Sequence, residues 1–247
     1  MLYLVATPIG NLGDITLRAL EVLKSVDVIA AEDTRHSANL LRHYEIRKRL
    51  VSYHEHNEAR RAAELLEMLQ AGSQVAVITD AGMPGISDPG HRLLQACIDH
   101  GIAYTVIPGP SSLLTALVGS GFPADEFHFG GFLPTKSGQR EREIQEAASR
   151  PVTTLFFESP YRLVKTLEVC TRHLPERKLC VARELTKQFE EFRIGLAAEL
   201  VSHYTAHPPK GEITLVVRAL DKKARRELEN QETGSVATPS PTPNAQS

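Results

Sequence analysis

Four short stretches hold the residue types that do chemistry. They are Thr7-Pro8-Ile9-Gly10-Asn11-Leu12-Gly13, Glu32-Asp33-Thr34-Arg35, Asp80-Ala81-Gly82-Met83-Pro84-Gly85 and Pro108-Gly109-Pro110-Ser111-Ser112. Glycine lets a ligand approach the backbone because no Cβ intervenes. Carboxylates can accept a proton, and a guanidinium can stabilise a developing oxyanion. The third stretch continues as Ile86-Ser87-Asp88-Pro89-Gly90, where Asp88 and Pro89 also read as the cap and first residue of a following helix. It lacks the G-x-G-x-x-G spacing of a dinucleotide site. The later Gly131-Phe132-Leu133-Pro134-Thr135-Lys136-Ser137 fails as a Walker loop, because Thr135 stands where glycine is required before the lysine. The ligand is therefore expected to be something other than a nucleoside triphosphate. His54-Glu55-His56 does not complete H-E-x-x-H, since residue 58 is glutamate, and no third ligand is evident, so no metal is expected.

These stretches need a frame that brings them together. Residues 2–6, 28–31, 50–53, 75–78 and 103–107 read as strands, each followed by a loop of special composition or by a helix start. Helical spacing alternates with them. Asp14 is placed to cap a helix with Ile15, Ala19, Val22 and Leu23 on its inner face. Asn57 opens another, with Ala62, Leu65, Leu66 and Leu69 inside and Gly72 past its end. Leu93, Leu94, Cys97 and Ile98 mark a third, and Leu114, Leu117 and Val118 a fourth. This βαβα rhythm predicts a mainly parallel sheet covered on both faces. Loops at the carboxyl edge of such a sheet converge on one ligand site.

A boundary is expected at Gly119-Ser120-Gly121-Phe122-Pro123. Beyond it, strands are expected at residues 127–129, 153–157, 178–182, 188–194 and 212–217, with helices near 138–148, 161–173 and 197–204, in a second, mixed sheet. The division is thus residues 1–118, residues 119–220 and a tail, residues 221–247. The tail is charged at first, then rich in Ser, Thr and Pro, with too little apolar surface to fold.

The 247 residues, 42% hydrophobic, suffice for one large or two modest domains. With 28 basic and 30 acidic residues the net charge is -2, so no global basic field points to nucleic acid, and any surface for it would have to be local. Arg47-Lys48-Arg49, Arg60-Arg61, Lys136, Arg140 and Arg142 are available for it, and residues 134–140 read as a basic lid over a substrate. Tyr53, His54 and Asn57, at a strand end, border the same cleft. Cys97, Cys170 and Cys180 form no C-x-x-C pair and read as reduced thiols. No signal peptide or membrane span is evident, so a soluble, cytoplasmic protein is expected.

The four stretches together resemble the tetrapyrrole methylase superfamily, and within it the bacterial small-subunit ribosomal RNA methyltransferase I family. Further segments carry the likeness from about residue 2 to 217: Gly131-Phe132-Leu133-Pro134, Phe156-Phe157-Glu158-Ser159-Pro160-Tyr161-Arg162, Ala182-Arg183-Glu184-Leu185-Thr186-Lys187 and Lys210-Gly211-Glu212-Ile213. The resemblance implies an α/β protein of two αβα domains of tetrapyrrole methylase type, the first with a mainly parallel sheet and the second with a mixed one. It also implies S-adenosylmethionine bound between them, a homodimer, and methylation of the ribose 2′-hydroxyl of a decoding-site cytidine in 16S ribosomal RNA. Position by position, it places Pro8, Gly10, Ala81, Gly82, Met83, Pro84, Ile86, Ser111, Ser112, Glu158, Leu185 and Ile213 at the cofactor. Met83 replaces the aspartate of the family's Gly-Gly-Asp-Pro segment. Where the family carries a further small helical module, this chain has Lys222, Lys223, Arg225 and Arg226, then the tail.

A ribose hydroxyl is a poor nucleophile at neutral pH and must be aligned and deprotonated. Glu32, Asp33, Arg35 and Lys187 are the catalytic candidates, with Arg183 and Glu184 beside the last. Each has a plainer reading: helix N-terminal charge for Glu32 and Asp33, salt bridges for Arg35 and Arg183. Two other functions stay open. One is a tetrapyrrole or other small-molecule methyltransferase on the same fold. The other is a catalytically silent ribosome-binding module.

Overall fold

The computed structural model describes residues 1–221; the expected tail lies, from residue 222 on, outside the described residues. The chain divides into two compact units. The first holds Met1–Gly119 together with Ala182–Phe192 and Gly211–Thr214. The second holds Ser120–Val181, Arg193–Lys210 and the chain from Leu215.

In the first unit, β1 (Leu2–Val5), β2 (Val28–Ala31), β3 (Arg49–Ser52), β4 (Val75–Ile78) and β5 (Tyr104–Ile107) form one sheet in the order β3-β2-β4-β1-β5. Every pairing in it is parallel. All residues of β2 and β4 are buried, as central strands covered on both faces must be. The side chains of β2 divide with period two. Ile29 and Ala31 pack with Ala19 and Leu23 of α1 (Leu17–Ser25) and with Leu40 and Leu41 of α2 (Thr34–His43). Val28 and Ala30 pack with Ala62, Leu65 and Leu69 of α3 (Glu58–Gln70) and with Leu93 and Cys97 of α4 (His91–Asp99). Burying one such leucine contributes about 1.5–3 kcal/mol.

Helix starts depart from the sequence expectation where another group competes for the cap. Asp14 ends a short 3-10 turn (Leu12–Asp14), and the Thr16 hydroxyl caps α1 by accepting from Ala19 N–H. Asn57 does precede α3, but its carboxamide turns back to accept from His54 N–H and donate to Ser52. Asp88 and Pro89 do not open α4. The residue before the helix is Gly90, at φ 136°, a left-handed backbone where a side-chain cap needs an extended one. The end of α3 is as expected, with Gly72 at φ 93° just beyond it. In α5 (Ser112–Gly119), Ala116 and Leu117 are buried, whereas Leu114 and Val118 are exposed.

The second sheet runs β6-β7-β10-β8-β9, from β6 (Phe127–Phe132), β7 (Thr153–Glu158), β8 (Lys178–Arg183), β9 (Glu191–Leu196) and β10 (Ile213–Val217). β6 and β7 are parallel, connected by α6 (Ser137–Ser149). β8 and β9 are neighbours joined by residues 184–190, shorter than the dozen or so residues a parallel crossover needs. The sheet is therefore mixed. β6 extends further than its sequence shows because a bulge lies between Phe129 and Phe132. Gly130 makes room there: a Cβ would run into the Phe156 ring. α7 (Leu163–His173) packs against α6 and α8 (Ala197–Ala206). No helix among the described residues is long and apolar enough to cross a membrane.

Candidate active site at the carboxyl edge of the parallel sheet

The parallel register brings the ends of all five strands to one edge, where the four chemistry-bearing stretches leave the sheet. The loops after β1 and β4 are stitched together. Thr7 and Gly82 exchange backbone hydrogen bonds of 2.9 and 3.1 Å, and Thr7 Oγ1 donates to Thr79 O at 3.0 Å. Gly82, at φ 85°, takes a left-handed backbone. A Cβ there would meet Ile9 Cγ2 at 3.5 Å and Pro110 O at 3.8 Å, ordinary contacts that leave the space beside the loop open. Pro8 and Pro84 are buried, Ala81 and Met83 half-buried, and Ile86 exposed. Ser111 Oγ accepts from Leu114 N–H at 3.4 Å at the start of α5, with Ser112 next to it. Pro8, Gly10, Ala81, Gly82, Met83, Pro84, Ile86, Ser111 and Ser112 thus share one edge.

Carboxylates cluster at the same edge. Asp33 N–H donates to Asp80 Oδ1 at 3.1 Å, and Asp80 N–H to Glu32 Oε2 at 3.4 Å. Burial raises the Glu32 pKa above the usual carboxylate value; the Asp80 charge adds to this and the Asp80 N–H bond opposes it. Asp88 goes further. Burial, then the charges of Glu32, Asp80 and Glu212, push it up to about 7. Asp33 goes the other way. Its carboxylate accepts from the Arg35 guanidinium at 2.9 and 3.2 Å and from Arg35 N–H at 2.8 Å, and is held at about 2. Burial thus makes Glu32 and Asp88, and not Asp33, the better proton acceptors of the cluster. Arg35 is 91% exposed, with its charge paired to Asp33. Sequence reasoning sets Asp80 in a chemistry-bearing loop and Asp88 at a helix cap but gives neither a catalytic role, although both sit in the small-residue loop after β4.

Burial of Asp88 has a measurable consequence. The native state holds a proton that the unfolded chain releases above its ordinary 3.8. Stability must therefore fall as pH rises from about 4 to about 7 and flatten above. Asp88→Asn is expected to remove that slope and to stabilise the protein at about pH 8 by roughly 1–3 kcal/mol. Thermal melts of both proteins across this range check it; parallel curves would refute it.

The end of β3 is fixed by Tyr53, which is fully buried and donates to Glu58 Oε1 at 3.1 Å. The same oxygen accepts from Gly90 N–H at 3.3 Å. Asn57 Nδ2 lies 3.2 Å from His54 Nε2, while His54 Nδ1 is buried with no hydrogen-bond partner among the described residues.

Residues 182–192 and 211–214, remote in sequence, complete this unit. Asn11 N–H donates to Thr186 Oγ1 at 3.1 Å. The Lys187 side chain covers Gly10 so closely that a Cβ there would collide with it. Lys187 Nζ is latched to Glu184 Oε1 at 2.9 Å and Glu212 Oε2 at 3.0 Å. Glu184 and Thr186 adopt φ of 51° and 64°, uncommon for residues with a Cβ. Three bonds hold them there: Glu184 N–H to Glu212 O at 3.0 Å, Glu212 N–H to Glu184 Oε1 at 3.1 Å, and Thr186 N–H to Glu190 Oε2 at 2.7 Å. Leu185 and Ile213 are buried in this unit, and Arg183 pairs with Glu191 at 3.2 Å.

Two expectations from sequence change in the second unit. Glu158, at the end of β7, has a fully enclosed carboxylate. It accepts from Arg162 Nη2 at 2.6 Å, Thr166 Oγ1 at 2.5 Å and Ser159 N–H at 2.7 Å. Arg140 is buried and donates to Pro134 O and Thr135 O, and helix α6 begins at Ser137. Residues 134–140 are thus tied down from within by Arg140, the arginine expected to face RNA, which leaves Lys136 as the one exposed base of this segment.

Among known proteins, the family model described as Tetrapyrrole (Corrin/Porphyrin) Methylases matches residues 1–201. The ribosomal RNA small subunit methyltransferase I of Mesorhizobium japonicum is 52% identical over 225 residues, covering 90% of this chain and 76% of the relative. The protein of the same name from Synechocystis is 49% identical over 218 residues, covering 88% and 78%. The crystal structure of uroporphyrin-III-C-methyltransferase from Thermus thermophilus aligns with a TM-score of 0.60 and 23% identity, over 92% of this chain and 97% of that one. At that identity the likeness is one of fold.

Proposed function

The chain belongs to the tetrapyrrole (corrin/porphyrin) methylases, among relatives named ribosomal RNA small subunit methyltransferase I, and from that premise we propose that it transfers a methyl group from S-adenosylmethionine to the ribose 2′-hydroxyl of a cytidine in the decoding region of 16S ribosomal RNA, acting in the cytoplasm as a homodimer. The observation that carries the choice of substrate is the extent of the likeness to those relatives, about nine-tenths of the chain. The fold alone, shared with a uroporphyrin methyltransferase, does not choose.

S-adenosylmethionine supplies a methyl group on a positively charged sulfonium. The first unit's loops fit such a molecule. Gly82 leaves its flank open, and the negative charge around Glu32, Asp80, Asp88 and Glu212 favours a cation. In this reading Pro8, Gly10, Ala81, Gly82, Met83, Pro84, Ile86, Ser111 and Ser112, with Leu185 and Ile213, hold the cofactor. Glu158 contributes through its backbone, since its carboxylate is enclosed. Met83 offers a thioether where the family segment has a carboxylate, so one polar contact is replaced by an apolar one. Glu32 accepts the hydroxyl proton. Asp33, Arg35 and Lys187 act as positioning residues: the first two fix the start of α2 beside Glu32, and Lys187 holds the Gly10 loop.

Methyl transfer from labelled S-adenosylmethionine to unmodified small ribosomal subunits, followed by digestion and mass spectrometry, tests the reading. Label is expected on 2′-O-methylcytidine in the decoding-region fragment. Label on a tetrapyrrole with the subunits left blank would overturn the substrate. Subunit binding without turnover would leave a binding module.

A further inference from the structure

The exposed face of α2 is basic or neutral from end to end. Arg35, His36, Asn39, Arg42 and His43 are its exposed residues, and the helix carries no acidic side chain. Arg35 and Arg42 are seven apart and share one stripe, as do His36 and His43. The helix starts beside Glu32 and ends at the opposite edge of the sheet, about 15 Å away at about 1.5 Å per residue. There Arg42, Glu45, Arg47 and Lys48 rim a cavity of about 650 Å³, with the buried Leu41 and Ile46 beneath them. Because β3 is an edge strand, nothing in the sheet flanks that side.

Charge pairing separates this surface from the other basic clusters. Among the described residues, Arg42, Arg47, Lys48 and Arg49 make no ion pair. Arg60 and Arg61 are paired to Glu64. Arg140 is buried, and Arg142 stands on a helix that also carries Glu141, Glu143 and Glu146. In a chain of net charge -2, the unpaired cations from Arg42 to Lys48 form a local positive track at a cavity able to seat a phosphate, and the helix links it to the carboxylate site, where Arg35 is already paired to Asp33. It is one helix wide, which suits a single backbone rather than a duplex.

We propose that this stripe guides a single-stranded flank of the RNA substrate, with a backbone phosphate seated among Arg42, Arg47 and Lys48; this rests on the ribosomal RNA reading above. Phosphate contacts supply position rather than sequence choice, so the track fixes how the target nucleotide reaches the site. The test compares the wild type with the triple variant R42A/R47A/K48A and with Glu45→Gln. Binding of a labelled decoding-region RNA oligonucleotide is followed by anisotropy over a range of KCl. Each lost single-strand phosphate contact removes about 0.7 from the slope of log K against log salt, so the triple variant should lose about 2. Its KM for subunits should rise, with kcat at saturating subunits and S-adenosylmethionine affinity unchanged. Glu45→Gln removes the one acid at the rim and should bind RNA roughly 2–3-fold tighter, an effect that damage to the fold would not produce.

A wild type that methylates subunits while the triple variant keeps its salt slope overturns the track and leaves the proposed activity intact. The slope change without any methylation supports the track and counts against the activity. A wild type that neither binds RNA nor methylates subunits overturns both.

Discussion

Glu32→Gln is expected to slow methyl transfer by about 10²–10⁴-fold with the affinity for S-adenosylmethionine unchanged. Glutamine keeps the length of the side chain and an oxygen to accept from Asp80 N–H. What it loses is the capacity to take a proton. Asp33→Asn should cost far less, because Arg35 already holds that carboxylate at about 2 and its work is to cap α2. Single-turnover rates across the neutral range, with calorimetric cofactor binding, separate the two. A wild-type rate in Glu32→Gln would remove Glu32 from the role. Loss of rate in Asp88→Asn instead would pass it to the neighbour whose pKa stands at about 7.

Arg162→Ala is the substitution expected to damage stability most, by about 3–5 kcal/mol. Arg162 neutralises a carboxylate with no exposure and also donates through Nη1 to Leu133 O at 3.0 Å. Removing it leaves the Glu158 charge buried with only the Thr166 hydroxyl and Ser159 N–H for company. Against a total of roughly 5–15 kcal/mol, that is a large fraction. Denaturant unfolding of the single variants and of Glu158→Gln/Arg162→Ala measures it. The double variant should lose less than Arg162→Ala alone, because the uncompensated charge has gone. A loss in Arg162→Ala below about 1 kcal/mol would show that the pair is not the support described.

The parallel sheet was legible because β2 and β4 are apolar at every position and end in loops of small or charged residues. Its caps were not. Thr16, Asn57 and Gly90 are decided by which neighbouring group wins a backbone N–H, and Asp14 and Asp88 look equally suitable in sequence. The gathering of the loops followed from the strand pattern. The ranking of the carboxylates did not, because the Asp88 value sums burial with charges from residues 32, 80 and 212. Arg140 and Arg47 are likewise indistinguishable as letters. One is swallowed by its own connection and the other stands on a cavity rim.

The bond from Asn11 to Thr186 joins residues 175 apart in the chain. During synthesis, all five strands of the parallel sheet lie within the first 107 residues made, yet the covering of the Gly10 loop does not exist until Lys187 is added, nor its latch until Glu212. At about 5–20 residues per second, the nascent sheet waits roughly 5–20 seconds for those partners. The fold of this unit begins first and its carboxyl edge is finished last, so synthesis halted between residues 107 and 187 leaves a sheet whose carboxyl edge is incomplete.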